Sequence, residues 1–207
     1  MTKNKSEIEH KIFLINGPPS CGKDTIARHV AATNKSNWGI MKFATPIKEA
    51  VAHLYGITQE QQNKIEADEK LKDKKSDLFF GMSYREAIID LSENYFKKIH
   101  GKDVFGKNML NRIKSIEYSA NILISDSGFT CEAVPIIEAF GADNVFHIKL
   151  ERSGCTFEND SREYIDAESL GIETFTIVNR DIRKFLVEGH GIITRLGNHT
   201  GPREAFV

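Results

Sequence analysis

The residues best suited by type and spacing to do chemistry lie in Gly17-Pro-Pro-Ser-Cys-Gly-Lys-Asp-Thr25. The spacing is G-x-x-x-x-G-K, and it follows the apolar run Lys11-Ile-Phe-Leu-Ile-Asn16. A phosphate-binding loop requires that order: a buried strand, a glycine-bearing turn, then a helix. Glycines let successive backbone N–H groups and the helix N-terminus converge on one anion. Lys23 adds a charge with the reach to touch terminal phosphates. Gly17, Ser20, Cys21, Gly22, Lys23, Asp24 and Thr25 are therefore the expected ATP-binding set. A glycine-rich turn with no ligand would need neither Lys23 nor Thr25. The hydroxyl arrives one residue later than usual, because Asp24 directly follows Lys23. Thr25 is expected at phosphate and its Mg²⁺, and Asp24 at a Mg²⁺-bound water.

A second carboxylate stands at the end of Ile122-Leu-Ile-Ser-Asp126, an apolar strand closed by an acid. In doubly wound folds, ligands sit at the carboxyl ends of the strands. An acid facing phosphates there is costly unless a cation is present, which makes Asp126 a candidate for Mg²⁺, directly or through water. The plainer reading is a turn, since Asp126-Ser-Gly128 is good turn chemistry. The phosphate loop in the same chain favours the metal. Arg152 and Arg162 fall among small and acidic residues in 151–170, a stretch with the length and composition of a flap over a phosphate site.

These residues need elements to hold them. The pattern predicts strands at 11–16, 39–43, 121–125, 144–150 and 174–178, with helices at 22–33, 131–140 and 180–188. Strands alternating with helices argue for the α/β class, with a parallel sheet covered on both faces. Residues 46–116 read as one long helical region, too long for a single crossover. Within it, Gln59 to Asp77 is dense in Lys, Glu and Asp and reads as a solvated helix face or a mobile loop. Ser83-Tyr-Arg-Glu86 looks like a capping box, and Ala87, Ile88, Leu91, Tyr95 and Ile99 form a stripe expected in the core. His147 lies in an apolar strand and reads as a hydrogen-bonded core residue. The tail from Gly189, rich in Gly, His and Thr, fits no element.

At 207 residues the chain suits one domain with room for an insertion. A formal net charge of −1 offers no general attraction to nucleic acid or to a membrane surface. Three scattered cysteines form neither a disulfide framework nor a zinc pattern, so a reducing cytoplasm is expected. The first residues are polar and lack an apolar signal core, and no uncharged run approaches the ~20 residues of a membrane span.

Four blocks together resemble the deoxynucleoside monophosphate kinases of tailed bacteriophages, a branch of the P-loop kinases. They are Gly17 to Thr25 with its G-K-D-T ending; Lys42-Phe-Ala-Thr-Pro-Ile-Lys-Glu-Ala50; Ser83-Tyr-Arg-Glu-Ala87 with His100-Gly-Lys-Asp-Val-Phe105; and Ile122 to Asp126. The likeness extends weakly over most of 11–188. It implies a P-loop kinase three-layer sandwich with a helical monophosphate-binding insertion at about 44–115 and a lid at about 151–170; the tail 189–207 stays unassigned. It implies Lys48, Arg85 and Asp126 at the acceptor, with Lys23, Arg85, Arg152 and Arg162 stabilising the transferring group. Asn179-Arg-Asp181 falls where related kinases hold adenine. The implied reaction is transfer from ATP, with Mg²⁺, to a (deoxy)nucleoside monophosphate, in host cytoplasm if the chain is phage-encoded. Small-molecule nucleotides are then the partners, and homo-oligomers stay open. Relatives often carry an Arg two residues after the strand-ending acid, where this chain has Gly128. Two alternatives remain: a P-loop kinase for another phosphorylated small molecule, and a nucleotide-dependent ATPase or regulatory binding protein.

Overall fold

The apolar runs become the strands of one parallel sheet. A computed structural model describes residues 8–34, 37–158 and 160–199. The strands are β1 (His10–Asn16), β2 (Trp38–Met41), β3 (Ala120–Ser127), β4 (Val145–Glu151) and β5 (Glu173–Val178). They lie in the order β2-β3-β1-β4-β5, every neighbouring pair parallel. With β1 central and Ile12, Phe13, Leu14 and Ile15 all fully buried, both faces of the sheet are covered. That explains why the inner strands β1, β3 and β4 read as apolar runs and not as alternating ones, whereas the edge strand β5 alternates. The fold is of the α/β class, as expected.

The chain divides into two compact units. One comprises the described residues up to Phe43 and from Gly106 onward; the other is Ala44–Phe105. In the sheet unit, α1 (Lys23–Thr33) and α9 (Ile182–Asn198) bury Ile26, Val30, Phe185 and Ile193 against Phe13, Ile15 and Ile148. The helix α7 (Val104–Lys114) meets α8 (Thr130–Phe140) so closely that a Cβ at Gly106 would lie 2.3 Å from the Glu132 carbonyl oxygen. Residues 106–114, expected inside the helical insertion, therefore belong with the sheet.

The unplaced tail is resolved up to His199: α9 runs ten residues past Glu188, through Gly189, Gly191 and Gly197. Its start is capped by Asp181, whose carboxylate accepts from the N–H groups of Arg183 and Lys184. Two of the glycines are contact points. A Cβ at Gly189 would stand 2.7 Å from Ile26 Cδ1, and one at Gly197 would stand 2.5 Å from the Trp38 ring. Residues read as helix breakers are where the helix comes down onto its neighbours. The tail from residue 200 lies outside the described residues.

The 44–105 unit is helical, as its composition suggested: α2 (Thr45–Leu54), α3 (Gln59–Ala67), α4 (Glu69–Asp73), α5 (Tyr84–Asp90) and α6 (Lys98–His100). Capping boxes start α3 at Thr58 and α5 at Ser83. Its core joins Val51, Phe79, Tyr84 and Ala87. The expected stripe fails beyond Leu91, since Tyr95 and Ile99 are more than half exposed. Residues Leu91–Lys97 are π-helical, and the wider turn carries later side chains off the face that a 3.6-residue period predicts.

Candidate functional site

The carboxyl end of β1 delivers the chain into the 17–25 loop. Gly17 has no room for a side chain: a Cβ there would lie 2.7 Å from the Leu150 carbonyl oxygen and 2.8 Å from Cys21 Sγ. Ser20 (φ 61°) and Gly22 (φ 111°) both adopt left-handed backbone, and this curls the segment before α1 begins at Lys23. Lys23 Nζ turns back and donates to the carbonyl oxygens of Gly17 and, at 2.6 Å, Pro18. Burial lowers the Lys23 pKa, opposed by the Cys21 thiol; the Arg162 charge lowers it further.

Other carbonyls of the loop are held from outside. Arg152 donates to Ser20 O at 2.9 Å, and Asn179 Nδ2 to Cys21 O at 2.9 Å. Asn179 thus braces the loop through its side chain. Cys21 faces inward and is fully buried, and that burial pushes its thiol pKa up. Its side chain, expected among the ATP-binding residues, is thus turned away from solvent. Thr25 is exposed in the first turn of α1.

Two acids gather beside the loop. Asp24 takes Lys42 Nζ at 2.8 Å and the Ser125 hydroxyl at 2.7 Å. Burial works to raise its pKa, but the Lys42 and Ser125 hydrogen bonds and the Lys42 charge prevail and hold it below the ordinary carboxylate value. Asp126 sits where the β1–β3 register slips: Leu14 pairs with Ile124, yet Asn16 pairs with Ser127. Such an extra residue re-aims a side chain next to a site. Its Oδ1 accepts the Phe43 N–H at 2.8 Å, so residue 43, expected inside β2, leaves that strand to bind the acid.

Asn16 ties the loop's root to the 151–170 segment. Its side-chain amide donates to Ser127 O at 2.9 Å and Glu163 O at 3.1 Å; its Oδ1 accepts the Ile165 N–H at 2.7 Å. His147 Nε2 lies 3.1 Å from the same Oδ1, and its Nδ1 lies 3.0 Å from Thr174 Oγ1. A neutral ring donating from Nε2 satisfies this arrangement. Burial, with help from the Lys149 charge, lowers the His147 pKa to about 4. His147 is 2 % exposed, a bonded core residue as its strand position suggested.

Arg162 lies in the same segment. Its Nε and Nη2 fork onto Asp160 at 2.8 and 2.6 Å, and the aliphatic stem covers Gly128. Of the expected site residues, the loop, Asp126, Arg152, Arg162 and Asn179 are in the sheet unit. Lys48 and Arg85 are in the 44–105 unit, both paired with acids. Lys48 Nζ meets Glu66 at 2.6 Å, and Arg85 meets Asp73 at 2.6 Å and Glu69 at 2.7 Å. Glu66 also accepts the Tyr84 hydroxyl at 2.8 Å, which fixes the carboxylate opposite Lys48.

Sequence reasoning missed Asn16, Lys42, Ser125 and Asp160. Asn16 was visible as the one polar residue closing an apolar run, and Lys42 opened a block singled out for its resemblance. Ser125 and Asp160 gave no signal apart from their neighbours. No protein-family model matches this chain, and no curated protein matches it. Among the described residues no cluster of three or more His, Cys, Asp or Glu could hold a metal, and no helix is long and apolar enough to cross a membrane. Mg²⁺ needs no such cluster, because one or two carboxylates with substrate phosphates and waters suffice. Asp126, Asp24 and the Thr25 hydroxyl supply hard oxygen donors of that type. Ser125, bonded to Asp24, immediately precedes Asp126.

Proposed function

We propose that this protein is a P-loop kinase of three-layer α/β architecture that transfers a phosphoryl group from ATP to a (deoxy)nucleoside monophosphate, giving ADP and the diphosphate. One observation carries the reading. A strand and loop that open helix α1 at Lys23 stand beside a second strand, β3, whose acid Asp126 lies in a register slip at the same end of a parallel sheet. Ligands of such sheets bind at that end.

In this reading the 17–25 loop receives the β- and γ-phosphates, and Lys23 exchanges the Gly17 and Pro18 carbonyls for phosphate oxygen. Arg152 and Arg162 neutralise charge on the transferring group. Lys48 and Arg85 contact the acceptor phosphate, each releasing a carboxylate to do so. Asp126, Asp24 and Thr25 would hold Mg²⁺, which supplies charge neutralisation at the β- and γ-oxygens when bound. No strong base is needed, because the attacking phosphate oxygen is already anionic. Catalysis then rests on positioning and electrostatic stabilisation. The reading places the protein in a cytoplasm, where nucleotides are its small-molecule partners.

The test is incubation with ATP and Mg²⁺ and, in turn, each of the eight common ribo- and deoxyribonucleoside monophosphates, following ADP and the diphosphate. Transfer to a subset of the deoxynucleotides is expected. ATP hydrolysis indifferent to every acceptor would refute the kinase reading and favour a nucleotide-dependent regulatory protein. Transfer confined to another phosphorylated small molecule would move the chain to a different branch of these kinases.

A further inference from the structure

Arg162 combines a fixed position with an internally satisfied charge. The backbone on its C-terminal side is pinned: Glu163 N–H donates to Gly128 O at 3.0 Å, Glu163 O accepts from Asn16, and Ile165 N–H donates to Asn16 Oδ1. Its stem lies over Gly128, where a Cβ would stand 2.7 Å from Arg162 Cβ and Cγ and 2.8 Å from Cδ. The side chain therefore needs residue 128 to be glycine. It lies in the fields of Asp126 and of Lys23. An arginine held this way is part of the floor at the end of β3, not a group that must arrive when a flap closes.

Its guanidinium is occupied by a neighbour two residues away. Nε and Nη2 bind the two oxygens of Asp160, and the Arg162 N–H donates to Oδ1 at 2.9 Å. A planar fork on two oxygens of one anion is how arginine also binds phosphate. The pair is largely withdrawn from water, with side-chain exposures of 14 % for Asp160 and 29 % for Arg162. Lys23 contributes a further favourable interaction with Asp160. The Asp160 carboxylate thus fills the Arg162 fork and lies in the field of Lys23.

We propose that Asp160 is a built-in stand-in for phosphate: it occupies the Arg162 fork in the free protein and is displaced when the polyphosphate of a nucleotide enters. The inference rests on the phosphate-loop reading and deepens it. Two consequences follow. Nucleotide binding proceeds as an exchange of anions, so charge need not be desolvated unpaired at either stage. Affinity is held down by the anion that must leave, which makes Asp160 a positioning and affinity-setting residue, not a catalytic one.

The test is calorimetric titration of the full chain with inorganic triphosphate and with ATP·Mg²⁺, alongside thermal unfolding of each variant. Asp160→Asn is expected to tighten both ligands about tenfold. The gain must vanish in Asp160→Asn combined with Arg162→Gln, which should bind no better than Arg162→Gln alone. Glu158→Gln removes the same charge from an exposed neighbour and should leave binding unchanged. Gly128→Ala should weaken binding several-fold by unseating the arginine stem. Equal or weaker binding by Asp160→Asn, or an equal gain from Glu158→Gln, would overturn the proposal while leaving the phosphate loop intact. If the folded wild-type protein bound neither ligand, the phosphate-loop reading itself would fall.

Discussion

Lys23 shows how much of this chemistry sits in single side chains. Its ammonium is partly buried and spends its hydrogen bonds on two loop carbonyls, neither of which balances a full charge. On the proposed kinase reading, an incoming polyphosphate offers a better partner at the same place. Lys23→Ala should therefore lower turnover roughly 10²–10³-fold, the usual cost of removing one stabilising donor at developing charge. The melting temperature should change little, because the folded protein loses two carbonyl contacts, a long contact to Cys21 Sγ and a distant attraction to Asp160; steady-state kinetics beside a thermal scan measure both. Retained turnover would exclude Lys23 from the site. Asn16 carries the opposite balance. It is fully buried and joins the ends of β1 and β3 to the 163–165 segment, so truncation strands Ser127 O, Glu163 O and the Ile165 N–H without their partner. Asn16→Ala should cost on the order of 3 kcal/mol, read by urea unfolding, since each buried group left unsatisfied costs about 1–3 kcal/mol. A loss below about 1 kcal/mol would mean that the segment finds other anchors.

At the scale of elements, α9 offers a paired experiment. Gly191 faces open space, whereas Gly197 lies against the Trp38 ring, with a Cβ there only 2.5 Å from the indole. Gly191→Ala should stabilise by up to about 1 kcal/mol through helix propensity alone. Gly197→Ala meets a rigid ring and should destabilise by about 1–3 kcal/mol despite the same propensity gain. Denaturant midpoints decide it, and a stabilised Gly197→Ala would show that the α9–Trp38 contact is loose. The same helix marks the limit of what the sequence discloses. The inner strands β1, β3 and β4 were legible because residues buried on both faces need no partner information to look apolar. The 17–25 loop and the acid of β3 were legible as positions, because a glycine-bearing turn between strand and helix and an acid closing an apolar run are local patterns. The end of α9 was hidden, since Gly189 and Gly197 are explained only by Ile26 and Trp38, far away in the chain. The Asp160–Arg162 pair was hidden for a related reason. Adjacent opposite charges are common in loops, and only the bare surface of Gly128 shows what that pair lies upon. Tyr95 and Ile99 misled because a π-helical turn breaks the period on which their burial was inferred.

The whole molecule carries a pH dependence whose sign can be worked out. His147 is neutral in the folded sheet unit, with its pKa lowered to about 4 from an ordinary value of 6.5. The unfolded chain therefore takes up this proton first as pH falls. Stability is fully present above about 6.5 and drains away between there and about 4, by up to about 3 kcal/mol for this one group. Asp24 and Asp160 act lower in the scale. Both are held below the ordinary carboxylate value, so the stability they add exists above that value and is lost as pH drops through their folded pKa values. The two effects fall in successive windows, histidine first. Trp38 reports on the right unit: it is the single tryptophan of the sequence, stacked on Phe13 in the sheet unit with ring centroids 5.5 Å apart. Urea unfolding followed by tryptophan fluorescence at a series of pH values from 7 to 4 should show the midpoint falling across that range. In His147→Gln the protein should start less stable at pH 7, and its midpoint should change less between pH 6.5 and 4. An acid slope as steep as that of the wild type would place the titrating group elsewhere and remove the neutral imidazole from its place under Asn16.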